Sequence, residues 1–410
     1  MKTVRLSVSL ALTTTLLGCN QMQAESGGGV SEEDGYALNA TNGLATINGL
    51  TTTNGLATSN GLATSNGLAT HNGLTTTNGL ATSNGLATSN GLMTTADGRQ
   101  TVAYLVRCAL AAGDTLIKQD QFNNSYTFSG GIGLAPQWKT GSCNGSCMMA
   151  LSACMLAHVN VTGTHIPLYL VSPAAAIGWG VSPQFPSREG TYFGNIFSDH
   201  AAYYCVGPDF DKNVVPGRLG ARLAGAPYTD PFGSPTAACT SCATDPAHPE
   251  AHTTCTVGGT VYQSPVTVYR GKTYEAENAN VMTMGAGAIL ACNSTVGCSK
   301  GKRVGYFNGD NYVQFNNVLS STAGSMNVMI YFTNGSDHPR QFRIRVNGAL
   351  VSTSSFPPTG SNDVFSSQLL VRLSGFKAGS SNTIAIQGPG SNASDLWGPD
   401  LDFIEIVPAN

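Results

Sequence analysis

The sequence predicts a multidomain protein that runs from an N-terminal hexapeptide-repeat stalk, through a disulfide-rich α+β middle domain, to a C-terminal all-β sandwich. Three observations support this division: a six-residue repeat over residues 42–95, eight of the eleven cysteines between Cys108 and Cys255, and period-two alternation of apolar and polar residues after residue 272. At 410 residues, the chain is long enough for two or three domains.

The composition limits the partners of this protein. Charged residues make up 10% of the chain, against about 25% in an average soluble protein. A formal net charge of −3 offers no basic surface for nucleic acid. We therefore expect no nucleic-acid partner and an extracellular surface made polar by serine, threonine, asparagine and glycine.

Residues 1–18 have the features of an export signal. Lys2 and Arg5 precede an apolar run that is too short to span a membrane as a helix. The run extends from Leu6 to Leu17, and Gly18 and Cys19 follow it. The alternative is an ordinary signal peptide that is cleaved near Ala24.

The sequence Leu16-Leu17-Gly18-Cys19 resembles the bacterial lipoprotein box. The resemblance implies cleavage before Cys19 and acylation of that cysteine, so the membrane is an expected partner through a lipid anchor. Asn20 in the next position implies an outer membrane lipoprotein of the bacterial cell envelope, facing the periplasm or the cell surface. Residues 19–41 then form an acidic, glycine-containing linker.

The repeat of residues 42–95 has the unit NGLATS, with an asparagine every six residues from Asn42 to Asn90. A leucine in every unit fits a β-solenoid with short coils. However, one leucine per six residues buries little apolar surface to offset the entropy of ordering. The near-identical units favour a flexible stalk over a solenoid, and both interpretations stay open.

The middle domain is assigned to residues 99–270. Apolar spacing predicts helices over residues 99–112 and 147–159, and strands over 166–171 and 266–269. Its segments 133–138, 143–154 and 188–195 resemble an uncharacterised cysteine-rich module of secreted bacterial lipoproteins. That resemblance implies no activity.

Residues of the middle domain offer two weak catalytic hypotheses. Cys143 lies in a Gly-x-Cys-x-Gly segment typical of a nucleophile elbow. Glu189 is a candidate glycosidase carboxylate. Their candidate partners are His158 or His165 with Asp199 or Asp209 for the cysteine, and Asp209 or Asp211 for the glutamate. Because an exported cysteine is usually oxidised, we assign no catalytic residue.

The cysteine count agrees with export. Without Cys19, ten of the eleven cysteines remain, enough for five disulfides. Cys292 and Cys298 stand alone in the C-terminal third and are predicted to pair with each other. Cys239 and Cys242 are interpreted as disulfide cysteines rather than zinc ligands.

Paired carboxylates stand at both ends of the C-terminal segment. Glu275 and Glu277 lie near its start, and Asp400 and Asp402 near its end. Residues i and i+2 of a strand share a face, so two facing pairs repel each other unless a hard cation such as Ca²⁺ lies between them. The alternative is four solvated edge charges.

Seven motifs of the C-terminal segment occur in the order seen in family 35 carbohydrate-binding modules, and family 6 modules are similar. They include Tyr274-Glu275-Ala276-Glu277, Asn311-Tyr312-Val313-Gln314-Phe315 and Pro399-Asp400-Leu401-Asp402-Phe403. The resemblance covers residues 272–410 and implies a jelly-roll, galactose-binding-like β-sandwich. It also implies a structural calcium held by Glu275, Glu277 and Asp402, with Asp400 as a further candidate.

The resemblance further implies a polysaccharide or glycan partner, bound by loops at one end of the sandwich. An aromatic ring stacks on the apolar face of a sugar, and amides bind its hydroxyls. The candidate ligand-binding residues on loops are Tyr306, Asn308, Asn334, Phe356 and Trp397. For Tyr306 and Phe356, packing in the core is the alternative.

These observations favour a surface-anchored carbohydrate-binding lipoprotein with a calcium-stabilised sugar-binding module. One alternative is a glycan-degrading enzyme with catalysis in residues 99–270 and a targeting module behind it. A second alternative is a structural or adhesive envelope protein in which the repeats do the work.

Overall fold

The computed structural model describes residues 39–40, 44–45, 92–94, 96–160, 167–198, 201–209, 241–292, 298–362 and 367–408. Contacts divide the chain into two units, Met1–Asp34 and Gly35–Asn410. The predicted signal, Cys19 and most of the repeats lie outside the described residues. Within the described ranges, no helix is both long and apolar enough to cross a membrane.

The structure is mostly β-sheet. Its first elements are β1 (Asn39–Ala40), β2 (Leu44–Ala45), α1 (Ala96–Ala109), β3 (Thr115–Gln119), β4 (Ser125–Ser129), α2 (Gly145–Ala157), β5 (Val159–Asn160), β6 (Leu168–Val171), β7 (Ser187–Asn195), β8 (Ala201–Val206), β9 (Cys242–Asp245), β10 (His248–Val257), β11 (Thr260–Gln263) and β12 (Val266–Arg270). The two predicted helices and the two predicted strands are confirmed, with ends shifted by a few residues.

The two helices of the middle domain pack together and are cross-linked. A disulfide joins Cys108 of α1 to Cys154 of α2. α2 begins after Asn144, whose side chain accepts a hydrogen bond from the backbone N–H of Cys147. Most of α2 is buried, which explains why it is apolar on all sides.

Besides the two helices, this part of the chain contains two antiparallel sheets, with the strand orders β1-β6-β12-β7-β8 and β11-β10-β9. Leu92 and Met93, in the last repeat unit, are 4% and 0% exposed and belong to the same hydrophobic core as α1. The folded region therefore begins upstream of residue 99, the boundary predicted from the sequence. Leu44 and Ala45 of the first repeat unit pair with β5.

The C-terminal module (272–410) contains the remaining strands. They are β13 (Lys272–Glu275), β14 (Val281–Met282), β15 (Ile289–Ala291), β16 (Lys302–Val304), β17 (Tyr312–Ser320), β18 (Gly324–Thr333), β19 (Arg340–Val346), β20 (Ala349–Phe356), β21 (Ser367–Phe376), β22 (Gly379–Gln387) and β23 (Asp400–Pro408). One sheet has the order β15-β16-β23-β18-β21 with β13 beside β23, and the other has the order β14-β17-β22-β19-β20. The inner faces of the two sheets share one hydrophobic core, compatible with the predicted β-sandwich.

The middle domain covers the outer face of β18 and β23. Val328 and Ile330 point into the sandwich, whereas the alternating Met329 and Tyr331 belong to the core of the middle domain. Phe403 of β23 joins them, with its ring stacked on Tyr331 at 4.0 Å. Both faces of this sheet are therefore buried, and the two parts of the chain share a continuous interior.

A buried ionic cluster lies at the same junction. The Arg270 guanidinium donates hydrogen bonds to Glu405, to Tyr331 and, at 2.8 Å, to Glu189. Arg270, Glu189 and Glu405 are all 0% exposed. Burial lowers the pKa of Arg270, but Glu405, Tyr331 and Glu189 raise it more strongly, so the arginine stays charged. Glu189 is thus a counter-ion in the protein interior, and the hypothesis that it is a glycosidase carboxylate is wrong.

Candidate functional site

Three of the five predicted ligand-binding residues lie together on the surface. The side chains of Tyr306 and Trp397 are 54% and 41% exposed, and their ring centroids lie 6.3 Å apart at an angle of 62°. Asn308 is exposed and forms an isolated antiparallel bridge with Trp397. We call Tyr306, Asn308 and Trp397 the aromatic platform. It presents two ring systems and an amide to solvent.

Hydrogen bonds join the backbone segments beneath the platform. Gly309 donates a hydrogen bond to the carbonyl of Leu396 at 2.8 Å, and Gly398 donates one to the carbonyl of Phe307 at 2.8 Å. Tyr306 has a φ of 60°, a left-handed conformation that is costly for a bulky residue. The surrounding hydrogen bonds hold this strained backbone, from which the exposed ring projects.

Asp395 connects the loop of Trp397 to neighbouring elements. Its Oδ1 accepts a hydrogen bond from the backbone N–H of Trp397 at 3.0 Å. Its Oδ2 lies 2.8 Å from His338 Nε2 and accepts a hydrogen bond from Arg340 Nε at 3.1 Å. Burial raises the pKa of Asp395, but these hydrogen bonds outweigh that effect and hold it below its ordinary value. Asp395 is therefore a carboxylate at neutral pH.

Sequence reasoning missed Asp395, His338 and Arg340. The available signal was Asp395 two residues before Trp397, because an aspartate often accepts a hydrogen bond from the backbone two residues on. The partners of Asp395 on residues 338 and 340 are 55 or more positions away in the chain, so the sequence pattern gave no indication of them.

The other two candidates are buried, and their assignment to ligand binding is wrong. Phe356 is 0% exposed and packs edge-on against Phe332 and Phe342. Asn334 is also 0% exposed, and its Nδ2 donates hydrogen bonds to the carbonyls of His338 and Phe356 at 2.9 and 3.0 Å. Asn334 shapes the loop that carries His338, because a buried amide must be satisfied by nearby groups.

A second carboxylate group surrounds Asp402, which is 0% exposed. The backbone N–H of Ser299 lies 3.1 Å from both oxygens of Asp402, and its hydroxyl donates to Glu275 at 2.8 Å. Burial raises the pKa of Asp402 well above its ordinary value, and the carboxylates of Glu275 and Glu277 add to the shift. Lys300 Nζ lies 3.8 Å from Glu275. The two glutamates therefore lie close enough to Asp402 for their negative charges to oppose its ionisation.

The structure changes two details of the predicted metal site. Glu275 ends β13, and Glu277 lies in the 3-10 helix Ala276–Asn278, so the two glutamates do not share one strand as predicted. Asp400 forms an ion pair with Arg303, with Nε and Oδ2 2.9 Å apart. We therefore assign Asp400 as the counter-ion of Arg303 rather than as a metal ligand.

Cysteines throughout the described part of the chain form disulfides. The expected disulfide between Cys292 and Cys298 is present, and Cys242 pairs with Cys255. Cys143 is bonded to Cys147 and offers no thiol, so the hypothesis of a cysteine nucleophile is wrong and the expected oxidation is present. Two groups of cysteines and a histidine have ligand atoms within 4.8 Å, namely Cys108, Cys154 and His158, and Cys205, Cys242 and His252. Their cysteines are all disulfide-bonded, so neither group offers metal-binding thiolates.

A cleft of about 440 Å³ lies at the end of the C-terminal module opposite to the aromatic platform. Pro183 of the middle domain forms part of one wall, and Lys272, Leu319 and Ile406 line the other side. β23 begins three residues after Trp397 and reaches the cleft with Ile406, so the cleft and the platform lie at opposite ends of this strand. None of the residues that line the cleft is aromatic, so it offers no ring for stacking.

Residues 312–405 match a protein-family model described as CBM13-like, the CBM13 domain of alpha-galactosidase. The C-terminal region is similar to carbohydrate-binding modules. This description names family 13, whereas the sequence motifs resemble family 35, and both are families of carbohydrate-binding modules. A search of curated proteins found no match.

Three solved structures are similar to part of this chain. An exo-beta-1,3-galactanase from Phanerochaete chrysosporium, with beta-1,3-galactotriose, is 31% identical over 37% of this chain and 32% of its own chain, with a TM-score of 0.28. A family 35 carbohydrate-binding module from Clostridium thermocellum is 28% identical over 33% of this chain and 98% of its own, with a TM-score of 0.29. A family 35 module from Paenibacillus barcinonensis is 24% identical over 34% and 100%, with a TM-score of 0.28. This chain thus spans about a third of the galactanase and nearly all of the two modules.

Proposed function

We propose that this protein binds a glycan through the aromatic platform of its C-terminal module. The observation that carries the proposal is the exposed pair Tyr306 and Trp397, with hydrogen-bonded backbone beneath it. Trp397 lies within the region 312–405, which is similar to carbohydrate-binding modules, and Tyr306 lies six residues before that region. Two large aromatic side chains that are exposed next to each other form a contiguous apolar patch, and such patches mark binding sites more often than a single exposed ring does.

The chemistry of the platform suits a sugar. The two rings offer apolar faces for the C–H face of a pyranose. The Asn308 amide can donate hydrogen bonds to sugar hydroxyls and accept hydrogen bonds from them. The nearby cations are already paired: Arg340 bonds Asp395, and the Arg343 guanidinium bonds Asp310. The site therefore favours uncharged hydroxyls over a strongly anionic group. We expect galactose-containing glycans first, with uronic-acid glycans as the second set.

The test is retention of the full chain on immobilised polysaccharides. Trp397→Ala and Tyr306→Ala should each lose most of the retention, because a stacked aromatic ring dominates binding at a shallow site. Phe122→Ala is the matched control, since Phe122 is an aromatic residue of the middle domain with 73% exposure. Equal retention of the wild type and both platform variants would refute the proposal.

We further propose that Glu275, Glu277 and Asp402 hold a structural calcium ion. The chemistry of these residues supports the proposal: three carboxylates supply the hard oxygen ligands that Ca²⁺ prefers, and Asp402 is fully buried with its pKa raised by the two glutamates. When bound, the ion would neutralise their mutual repulsion and connect the start of the module, at Glu275, to its last strand at Asp402.

Anchoring through Cys19 is a separate proposal, supported by the resemblance of residues 16–19 to the lipoprotein box. A lipid-anchored protein should appear in the membrane fraction, and Cys19→Ser should move it to the soluble fraction. Cys19→Ser protein that stays in the membrane fraction would contradict this anchor.

A further inference from the structure

We propose that Asp395 is the positioning residue of the aromatic platform, and that His338 makes its hold on Trp397 dependent on pH. This inference rests on the proposed glycan binding and adds its regulation. Asp395 is the point at which the Trp397 loop meets both β19, through Arg340, and the loop after β18, through His338.

The geometry makes Asp395 a shared acceptor. One of its oxygens fixes the backbone N–H of Trp397, and the other lies within hydrogen-bond distance of two cationic side chains. Its side chain is 28% exposed, so water screens these interactions only in part. Charge-assisted hydrogen bonds are roughly twice as strong as neutral ones. Removing the charge of Asp395 should therefore weaken the attachment of the Trp397 loop while changing the stability of the whole protein little.

His338 lies between two carboxylates. Its Nδ1 is 2.7 Å from Asp337, and its Nε2 is 2.8 Å from Asp395. Only the imidazolium has a proton on each nitrogen and can donate to both acids. Hydrogen bonds to Asp337 and Asp395 raise the pKa of His338, and both acids add Coulombic attraction. Arg340 is the other charged side chain bonded to Asp395.

The direction of the pH dependence follows from the raised pKa of His338. Because the pKa of His338 is raised in the folded protein, its contribution is complete below the ordinary value of 6.5 and is lost as the pH rises through the raised pKa. Loss of the proton leaves a neutral ring, which can donate to only one of the two acids. Arg340 still holds Asp395, so the platform should loosen rather than collapse.

The experiment measures the dissociation constant of the full chain for a retained polysaccharide between about pH 6 and pH 9, around the ordinary pKa of histidine. The wild type should bind most tightly at the acidic end and weaken about threefold to tenfold across this range. His338→Gln should remove the pH dependence. Asp395→Asn should weaken binding at all pH values while unfolding at nearly the same temperature.

Asp337→Asn is the matched control, because Asp337 bonds the other nitrogen of His338 and its side chain is 98% exposed. It should bind like the wild type at the acidic end and shift the midpoint of the pH profile downwards, which a purely structural role would not do. A flat wild-type profile, an unchanged profile in His338→Gln or wild-type affinity in Asp395→Asn would overturn the inference.

A ligand-free readout separates this inference from the proposed function. Hydrogen exchange of the Trp397 amide should be faster in Asp395→Asn than in the wild type at the same pH, because its acceptor is weakened. If the wild type retains no polysaccharide, the proposed function is wrong. The positioning role of Asp395 is then tested only by hydrogen exchange of the Trp397 amide. Unchanged exchange in Asp395→Asn would overturn that role.

Discussion

Arg270, the last residue of β12, donates a hydrogen bond from Nε to Glu405 of β23 at 3.0 Å, across the boundary between the middle domain and the C-terminal module. Neither side chain is accessible to solvent. A buried charge needs its partner, since the cost of removing it from water is otherwise uncompensated. The two parts of the chain therefore depend on each other for stability.

Arg270→Met tests this dependence. The variant leaves Glu189 and Glu405 buried without their cation, so we expect the free energy of unfolding to fall by about 3–5 kcal/mol in urea denaturation. The control is the triple variant Arg270→Met, Glu189→Gln, Glu405→Gln, which removes the charges together. It should recover a large part of the loss.

The wild type should also unfold in one calorimetric transition that includes both parts, because Tyr331 and Phe403 belong to the core of the middle domain. Two separate transitions, or an Arg270→Met variant as stable as the wild type, would contradict a shared interior.

The shared interior was only partly predictable. The strands and turns of the C-terminal module follow from alternation and from turn residues such as Asn347-Gly348, where both residues have positive φ. The covered face of β18 had one signal, its nearly continuous apolar run Val328-Met329-Ile330-Tyr331-Phe332, which is typical of a strand buried on both sides. Which part of the chain covers that face depends on tertiary packing that local patterns do not contain.

Calcium removal should destabilise the C-terminal module. If Glu275, Glu277 and Asp402 hold the ion, excess chelator should lower the melting temperature of the full chain, because a ligand bound only to the folded state stabilises it by mass action. Adding Ca²⁺ back should restore the melting temperature, and Mg²⁺ should be less effective because it requires a stricter geometry.

Glu277→Gln is the variant for this measurement. Asp400→Asn, at the start of β23, is the control, since Asp400 is bonded to Arg303. The first variant should respond less to Ca²⁺ than the wild type, and the control should respond almost fully. A melting temperature that does not change with chelator would contradict the calcium proposal.

His252 should make the middle domain sensitive to acid. Burial, followed by the charge of Arg188, lowers the pKa of His252 to about 4 from 6.5. The unfolded chain therefore binds a proton more readily between these two values, and stability is lost as the pH falls from 6.5 towards 4.

The measurement is urea denaturation of the wild type and His252→Gln at pH 7 and pH 4.5. Because other groups titrate in both proteins, the difference between them is the relevant quantity, and we expect the wild type to lose on the order of 1–2 kcal/mol more than the variant. The hydroxyl of Thr191, 2.8 Å from His252 Nδ1, remains available to the glutamine amide. Equal losses in the two proteins would contradict a neutral His252.

The candidate site shows the same division between local and tertiary information. The exposure of Trp397 could be predicted because loop residues such as Asp395, Gly398 and Pro399 surround it in the sequence. For Tyr306 the sequence left packing in the core open, and the structure places it on the surface. Phe356 and Asn334 were assigned wrongly because a residue type on a predicted loop does not reveal which way the side chain points. Both are fully buried.

The most direct test of glycan binding uses the three tryptophans of the chain as reporters. Trp138 is 0% exposed and Trp179 is partly buried in the middle domain, whereas Trp397 is 41% exposed on the platform. In a nitrogen–proton correlation spectrum of the full chain, titration with a retained oligosaccharide should shift the indole signal of Trp397, assigned through Trp397→Phe, and leave the other two in place. A shift of Trp179 instead, or no shift of any indole at saturating sugar, would contradict binding at the platform.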